Sequence, residues 1–107
     1  MSKSIIFALT AGMASVAVNA QQCPGEFHAV PLHERASVCH SFNSDTPASM
    51  SYHAPLSPAD TVTFYKSALG EPEQESLQKG RTVLQFAQKV VVISADAAGS
   101  QVDILIK

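Results

Sequence analysis

The chain has 107 residues, 46% of them hydrophobic, 7% aromatic and 15% charged, a length that accommodates one domain. Its apolar fraction argues against wholesale disorder. With a net charge of −2, its seven Lys and Arg (Lys3, Arg35, Lys66, Lys79, Arg81, Lys89, Lys107) are scattered and form no basic stripe. That excludes a nucleic-acid backbone as the expected partner.

Residues 1–20 read as a cleaved signal peptide. Lys3 supplies a positive start, residues 5–18 an apolar core, and Val18-Asn19-Ala20 a small-residue cleavage site. The apolar run is about fourteen residues, whereas roughly twenty are needed to cross the hydrocarbon of a bilayer. No stable membrane anchor is therefore expected after cleavage, and the product is exported, periplasmic or secreted. Gln21-Gln22 stand between the cut and Cys23, which argues against a lipidated cysteine.

Residues 21–35 are expected to form an irregular N-terminal arm, and residues 36–107 a single α+β domain. The two cysteines, Cys23 and Cys39, lack the C-x-x-C spacing of a redox pair and read as one structural disulfide in an oxidising compartment. Closing a loop of about fifteen residues, the bond contributes about 3 kcal/mol in the chain-entropy model.

Segments 36–42 and 48–54 have period-2 character and flank the turn-forming Asn43-Ser44-Asp45-Thr46-Pro47, which predicts a β-hairpin. Ser57 as N-cap, Pro58 at the first helical position, Asp60 at N3 and Gly70 as the stop predict a helix between them. Its apolar stripe is Val62, Tyr65 and Leu69, widened by Phe64 and Ala68, and so short a helix requires a sheet to lie on.

Residues 71–75 read as a solvated acidic connection. Three strands follow at 81–88, 89–95 and 101–106, with a five-residue turn at 96–100. The boundary at Gln88-Lys89 has no strong turn signal, so a single bent strand over 81–94 is an alternative. The predicted order is β-β-α-β-β-β, one helix packed on an antiparallel sheet. Its inner face is expected to include Met50, Tyr52, Leu84, Phe86, Val102, Ile104 and Ile106.

The motif Ser51-Tyr52, Pro55, Ser57, Val62, Phe64-Tyr65 and Leu69 resembles a pattern in small exported bacterial proteins, in which an "FY…L" helix follows an "SY" strand. The resemblance covers residues 36–106 and rests on core and cap positions. It implies the fold and export, and it transfers no catalytic residue.

Four histidines invite a metal hypothesis, but none of their spacings matches a zinc motif, and His33-Glu34 is followed by Ser37 where H-E-x-x-H needs histidine. Pairing Phe42 with Ala48 would set His40 opposite Met50 and His53 opposite Ser37, on opposite sheet faces. His28 and His33, on the arm, remain the candidates for copper or zinc.

The only Gly-Ser, Gly99-Ser100, falls in the expected turn, and Ser76-x-x-Lys79 lacks the companions that a penicillin-binding site needs. No nucleotide loop is present, and no cofactor is implied. Tyr52, Phe64, Tyr65 and Phe86 are expected to be core.

The expected function is therefore non-enzymatic, binding an envelope protein. The alternative is a carrier of a small apolar ligand or of Cu/Zn, using the helix–sheet groove or the arm. Leu105 is out of phase with Val102, Ile104 and Ile106, which makes it the candidate partner contact on a docking edge.

Cleavage after Ala20 leads to a first check. Mass spectrometry of the exported protein should find Gln21, or its cyclised form, at the N-terminus, and a membrane-bound product retaining Met1 would exclude the cut.

Overall fold

The computed structural model describes residues 23–43 and 45–107, so the expected leader and its cleavage site lie outside the described residues. The arm contains a two-stranded ribbon, β1 (Glu26–Phe27) and β2 (Val30–Pro31). The main sheet is built from β3 (Ser37–Asn43), β4 (Ala48–Ala54), β5 (Gln74–Gln78), β6 (Arg81–Phe86), β7 (Lys89–Asp96) and β8 (Gly99–Ile106). The helix α1 (Pro58–Leu69) follows β4. The strands are ordered β3-β4-β8-β7-β6-β5, and every neighbouring pair is antiparallel.

One helix on an antiparallel α+β sheet is the architecture expected, with one strand more than β-β-α-β-β-β. The addition is β5. Its sequence, Gln-Glu-Ser-Leu-Gln, has a single apolar residue, Leu77, which is itself exposed, so it carries no burial signal and exists through its ladder with β6. Residues 74 and 75 thus belong to a strand, not to the acidic connection.

Two-residue turns close the hairpins β5–β6, β6–β7 and β7–β8, so 81–94 is two strands and the last turn is Ala97-Ala98. Ala87 and Ala97 adopt left-handed backbone (φ 52° and 55°) where glycine or asparagine is the usual signal, which hid the first turn and the two-residue length of the second, expected to span 96–100.

Alternation sorts the sheet into two faces. Met50, Tyr52, Leu84, Val102, Ile104 and Ile106 lie in the buried core as expected, with Phe86 packed against it and Ala48, Ala54, Val91 and Ile93 added. The helix starts as its sequence predicts, the Asp60 amide donating to Ser57 Oγ at 3.1 Å. At its end, the Gly70 amide donates to the Lys66 carbonyl with φ 90° at the glycine.

The buried stripe differs in detail from Val62, Tyr65 and Leu69. Thr61 and Tyr65 are buried, while Val62, Phe64 and Leu69 pack at the margin. Thr61 can be polar there because its hydroxyl lies 2.9 Å from the Ser57 carbonyl and 3.2 Å from Ser100 Oγ. Ser100 Oγ in turn donates to the Leu56 carbonyl at 2.7 Å. Ser100 is fully buried and pins the start of the helix to β8.

The arm contributes more than a tether. Phe27, Val30 and Leu32 are buried in the same core, and the Cys23–Cys39 disulfide joins the arm to β3 with a Cα–Cα distance of 5.5 Å. Two tyrosines lock the arm in place. Tyr65 Oη donates to the Pro31 carbonyl at 2.8 Å, the two phenol oxygens are hydrogen-bonded, and the His33 amide donates to Tyr52 Oη at 3.2 Å.

Burial raises the pKa of both phenols above the ordinary value, and for Tyr65 the adjoining Tyr52 adds to the rise. The folded protein keeps these protons to higher pH than the unfolded chain does. Their stabilisation is complete below about pH 10, the ordinary tyrosine value, and is lost as pH rises beyond it. Urea midpoints should therefore fall above about pH 10, and Tyr65→Phe, which strands the Pro31 carbonyl and one Tyr52 bond, should cost about 1–3 kcal/mol at neutral pH.

Candidate functional site

The helix covers one face of the sheet. The other face carries Ser49, Ser51 and His53 of β4, Gln101, Asp103 and Leu105 of β8, and Val90 and Val92 of β7, all in register with one another. Two of the concavities on this face border β4 and β8.

The first is a cleft of 270 Å³ in which Val38, His40, Ser51, His53, Asp96 and Gln101 meet. Register shifts between Ser37 and His40 and between Ser41 and Asn43 set its geometry. His53 faces Ser37 as a regular hairpin requires, but the first bulge moves His40 from Met50 to Ser51. Both imidazoles therefore line one cleft, which corrects the expectation that they lie on opposite faces. A bulge inserts a residue and re-aims those after it, and Val38 takes a left-handed backbone (φ 53°) within it. No composition signal marks the spot, because valine is among the residues least suited to that conformation.

His53 Nδ1 lies 3.1 Å from Asp96 Oδ2, with both side chains partly exposed. The carboxylate holds a proton on Nδ1, which leaves the neutral ring's lone pair on Nε2. The ring lies against Gly99, where a Cβ would meet the Ala54 carbonyl oxygen and come within 2.9 Å of Nε2. Glycine is required by this close approach of backbone to backbone. The cleft thus offers an oriented imidazole, a second imidazole and an apolar rim, and no hydrogen bond joins the His53 ring to the Ser51 hydroxyl.

The second concavity, a shallow groove of 490 Å³, runs over Phe42, Pro47, Ser49, Val90 and Leu105. Leu105 points away from the core as its phase predicts and is 42% exposed, between Ser49 and Val90. Phe42 is 71% exposed beside it. The strand that carries Leu105 is central, paired on both sides by β4 and β7, and not the docking edge expected. Leu105 belongs to an open face. The edges of the sheet are β3 and β5.

The arm histidines sit on different partners. His28 stacks edge-on with Phe27 at 4.7 Å between ring centroids, and His33 with Phe64 at 5.3 Å. His33 Nδ1 also accepts the Arg35 amide at 3.1 Å. Among the described residues, no group of three His, Cys, Asp or Glu side chains is arranged to hold a metal ion. Of the aromatic set, Tyr52 and Tyr65 fill the space between helix and sheet.

No protein-family model matches the chain, and no curated protein or solved structure matches it significantly.

The contact at Gly99 can be tested directly. Gly99→Ala should destabilise the protein by about 1–3 kcal/mol, the usual result of forcing atoms into filled space, as measured by urea unfolding, whereas Ala98→Gly in the exposed turn should change it by less than about 1 kcal/mol.

Proposed function

We propose that this protein is an exported, non-enzymatic binding module that docks an envelope protein on the open face of its sheet. The observation that carries the reading is that Leu105, Phe42 and Val90 line one groove on the face that α1 leaves open. Scattered exposed leucines are ordinary, but a large leucine and a phenylalanine lining the same groove mark a contact surface. The polar rim of Ser49, Ser51, Gln101 and Asp103 gives that surface hydrogen-bonding groups for orientation.

A disulfide that closes the arm onto the sheet fits an oxidising compartment. No helix among the described residues is long and apolar enough to cross a membrane. The disulfide accords with the leader read from residues 1–20. A carrier of apolar ligands would need room between helix and sheet, and that space is taken by Tyr52, Tyr65, Leu84 and Ile104.

The test is Leu105→Glu in the exported protein. Its melting temperature should stay close to that of the native chain, since Leu105 contributes little to the core. Capture of its envelope partner by the immobilised protein should drop by about tenfold or more, the loss expected for a contact worth about 1.4 kcal/mol. Undiminished capture would remove the open face from the proposal.

A further inference from the structure

The two edges of the main sheet are built differently. β3 has two register shifts, Val38 in left-handed backbone and a disulfide clamp at Cys39. Such devices keep an edge from pairing with another chain. β5 has none of them. Its five residues pair one-to-one with β6, without a bulge and without proline. Its only charged side chain, Glu75, is already neutralised by Lys66, whose Nζ lies 2.7 Å from Glu75 Oε1. Leu77 is the most exposed of the large apolar residues described, at 75%.

The register shows which backbone groups are available. Gln78 and Arg81 close the two-residue turn Lys79-Gly80. The pair that closes such a turn exchanges both hydrogen bonds, and the ladder then alternates. Gln74, Ser76 and Gln78 therefore bond to β6, while Glu75 and Leu77 direct their N–H and C=O groups outward. Glu75 and Leu77 lie opposite Leu84 and Thr82, which puts their side chains on the helix side of the sheet.

We propose that β5 pairs antiparallel with β5 of a second copy of this chain, about a two-fold axis at Ser76, joining the two sheets into one. In this register Glu75 faces Leu77 of the second copy and Gln74 faces Gln78, so the outward backbone groups meet each other and no like charges oppose. The exposed Leu77 side chains become diagonal neighbours across the axis and cover one another. A shift of two residues in one direction sets Glu75 against Glu75. The opposite shift brings the turn residue Lys79 into the ladder and shortens it. Shifts of one residue set outward groups against groups already bonded to β6. The isologous arrangement is the commonest for homodimers. It leaves the Leu105 face open, so this proposal and the docking of an envelope protein stand or fall separately.

Cysteine cross-linking reads the register. Ser76 would face its own copy as a non-hydrogen-bonded pair, with Cα atoms about 4.5 Å apart and within reach of a disulfide. Under mild oxidation the exported Ser76→Cys protein should form a covalent dimer. Gln78→Cys should not, because its copies would be about 13 Å apart along the strands. By sedimentation equilibrium the native protein should dimerise reversibly, and Ser76→Lys should raise the dissociation constant about fivefold or more by opposing like charges at the axis. A native protein that is monomeric at its highest soluble concentration, or equal cross-linking of the two cysteine variants, would overturn the proposal.

Discussion

The order of protons along two phenols holds three separate parts of the chain together. Tyr65 gives its hydroxyl hydrogen to the Pro31 carbonyl, so it can only accept from Tyr52. Tyr52 then accepts from the His33 amide. Each hydroxyl donates once and accepts once, with both rings buried between helix and sheet. A buried hydroxyl left unpaired is costly, so the pair stabilises the fold only while the arm is seated. The arm in turn covers the core with Phe27, Val30 and Leu32, and the disulfide keeps it near β3. Helix, sheet and arm form one cooperative unit through these contacts, although the arm makes only a two-residue ribbon of regular structure.

The same economy of chain explains why the open face is the place to look for function. The helix and the arm share one side of the sheet, and the tyrosines fill the space between them. The face of β4, β8 and β7 is the one that α1 and the arm leave open. There the first bulge of β3 brings His40 to the side of His53, and Leu105 and Phe42 border a groove. The strain in Val38 and the glycine under the His53 ring are both local features of that surface, and neither improves the core.

Much of this was legible in the order of residues. Periodicity and capping chemistry located α1, β4 and the core face of β8 because burial on one side imposes a repeat on the sequence. Cysteine number and context predicted the Cys23–Cys39 bond. Three things were hidden, each for a physical reason. β5 is stabilised by pairing with β6 and not by burial, so its polar residues carry no alternation. The turn at Ala87 places alanine in backbone that normally advertises itself with glycine or asparagine, and Ala97 in the same backbone concealed that the turn expected over 96–100 is only two residues long. The hairpin register, which decides whether His40 and His53 share a face, depends on a bulge at a valine. A one-residue slip reverses the faces of everything beyond it, and no local preference announces this one. Leu105 was assigned to the right face and to the wrong kind of strand, because phase is a local property and strand order is not.

The strand order also bears on how the chain reaches its native state. β8 is the last strand in sequence, yet it lies in the middle of the sheet, between β4 and β7. As the chain grows from its N-terminus, the β3–β4 hairpin and α1 appear first, with no partner strand for β4 on its inner side. The meander β5–β6–β7 comes next and cannot join β4 without β8. Loop closure between β4 and β8 therefore gates the whole domain, and the pairing is of the non-local kind that slows folding. A chain emerging progressively therefore holds two groups of strands, β3–β4 and β5–β6–β7, that become one sheet only through β8.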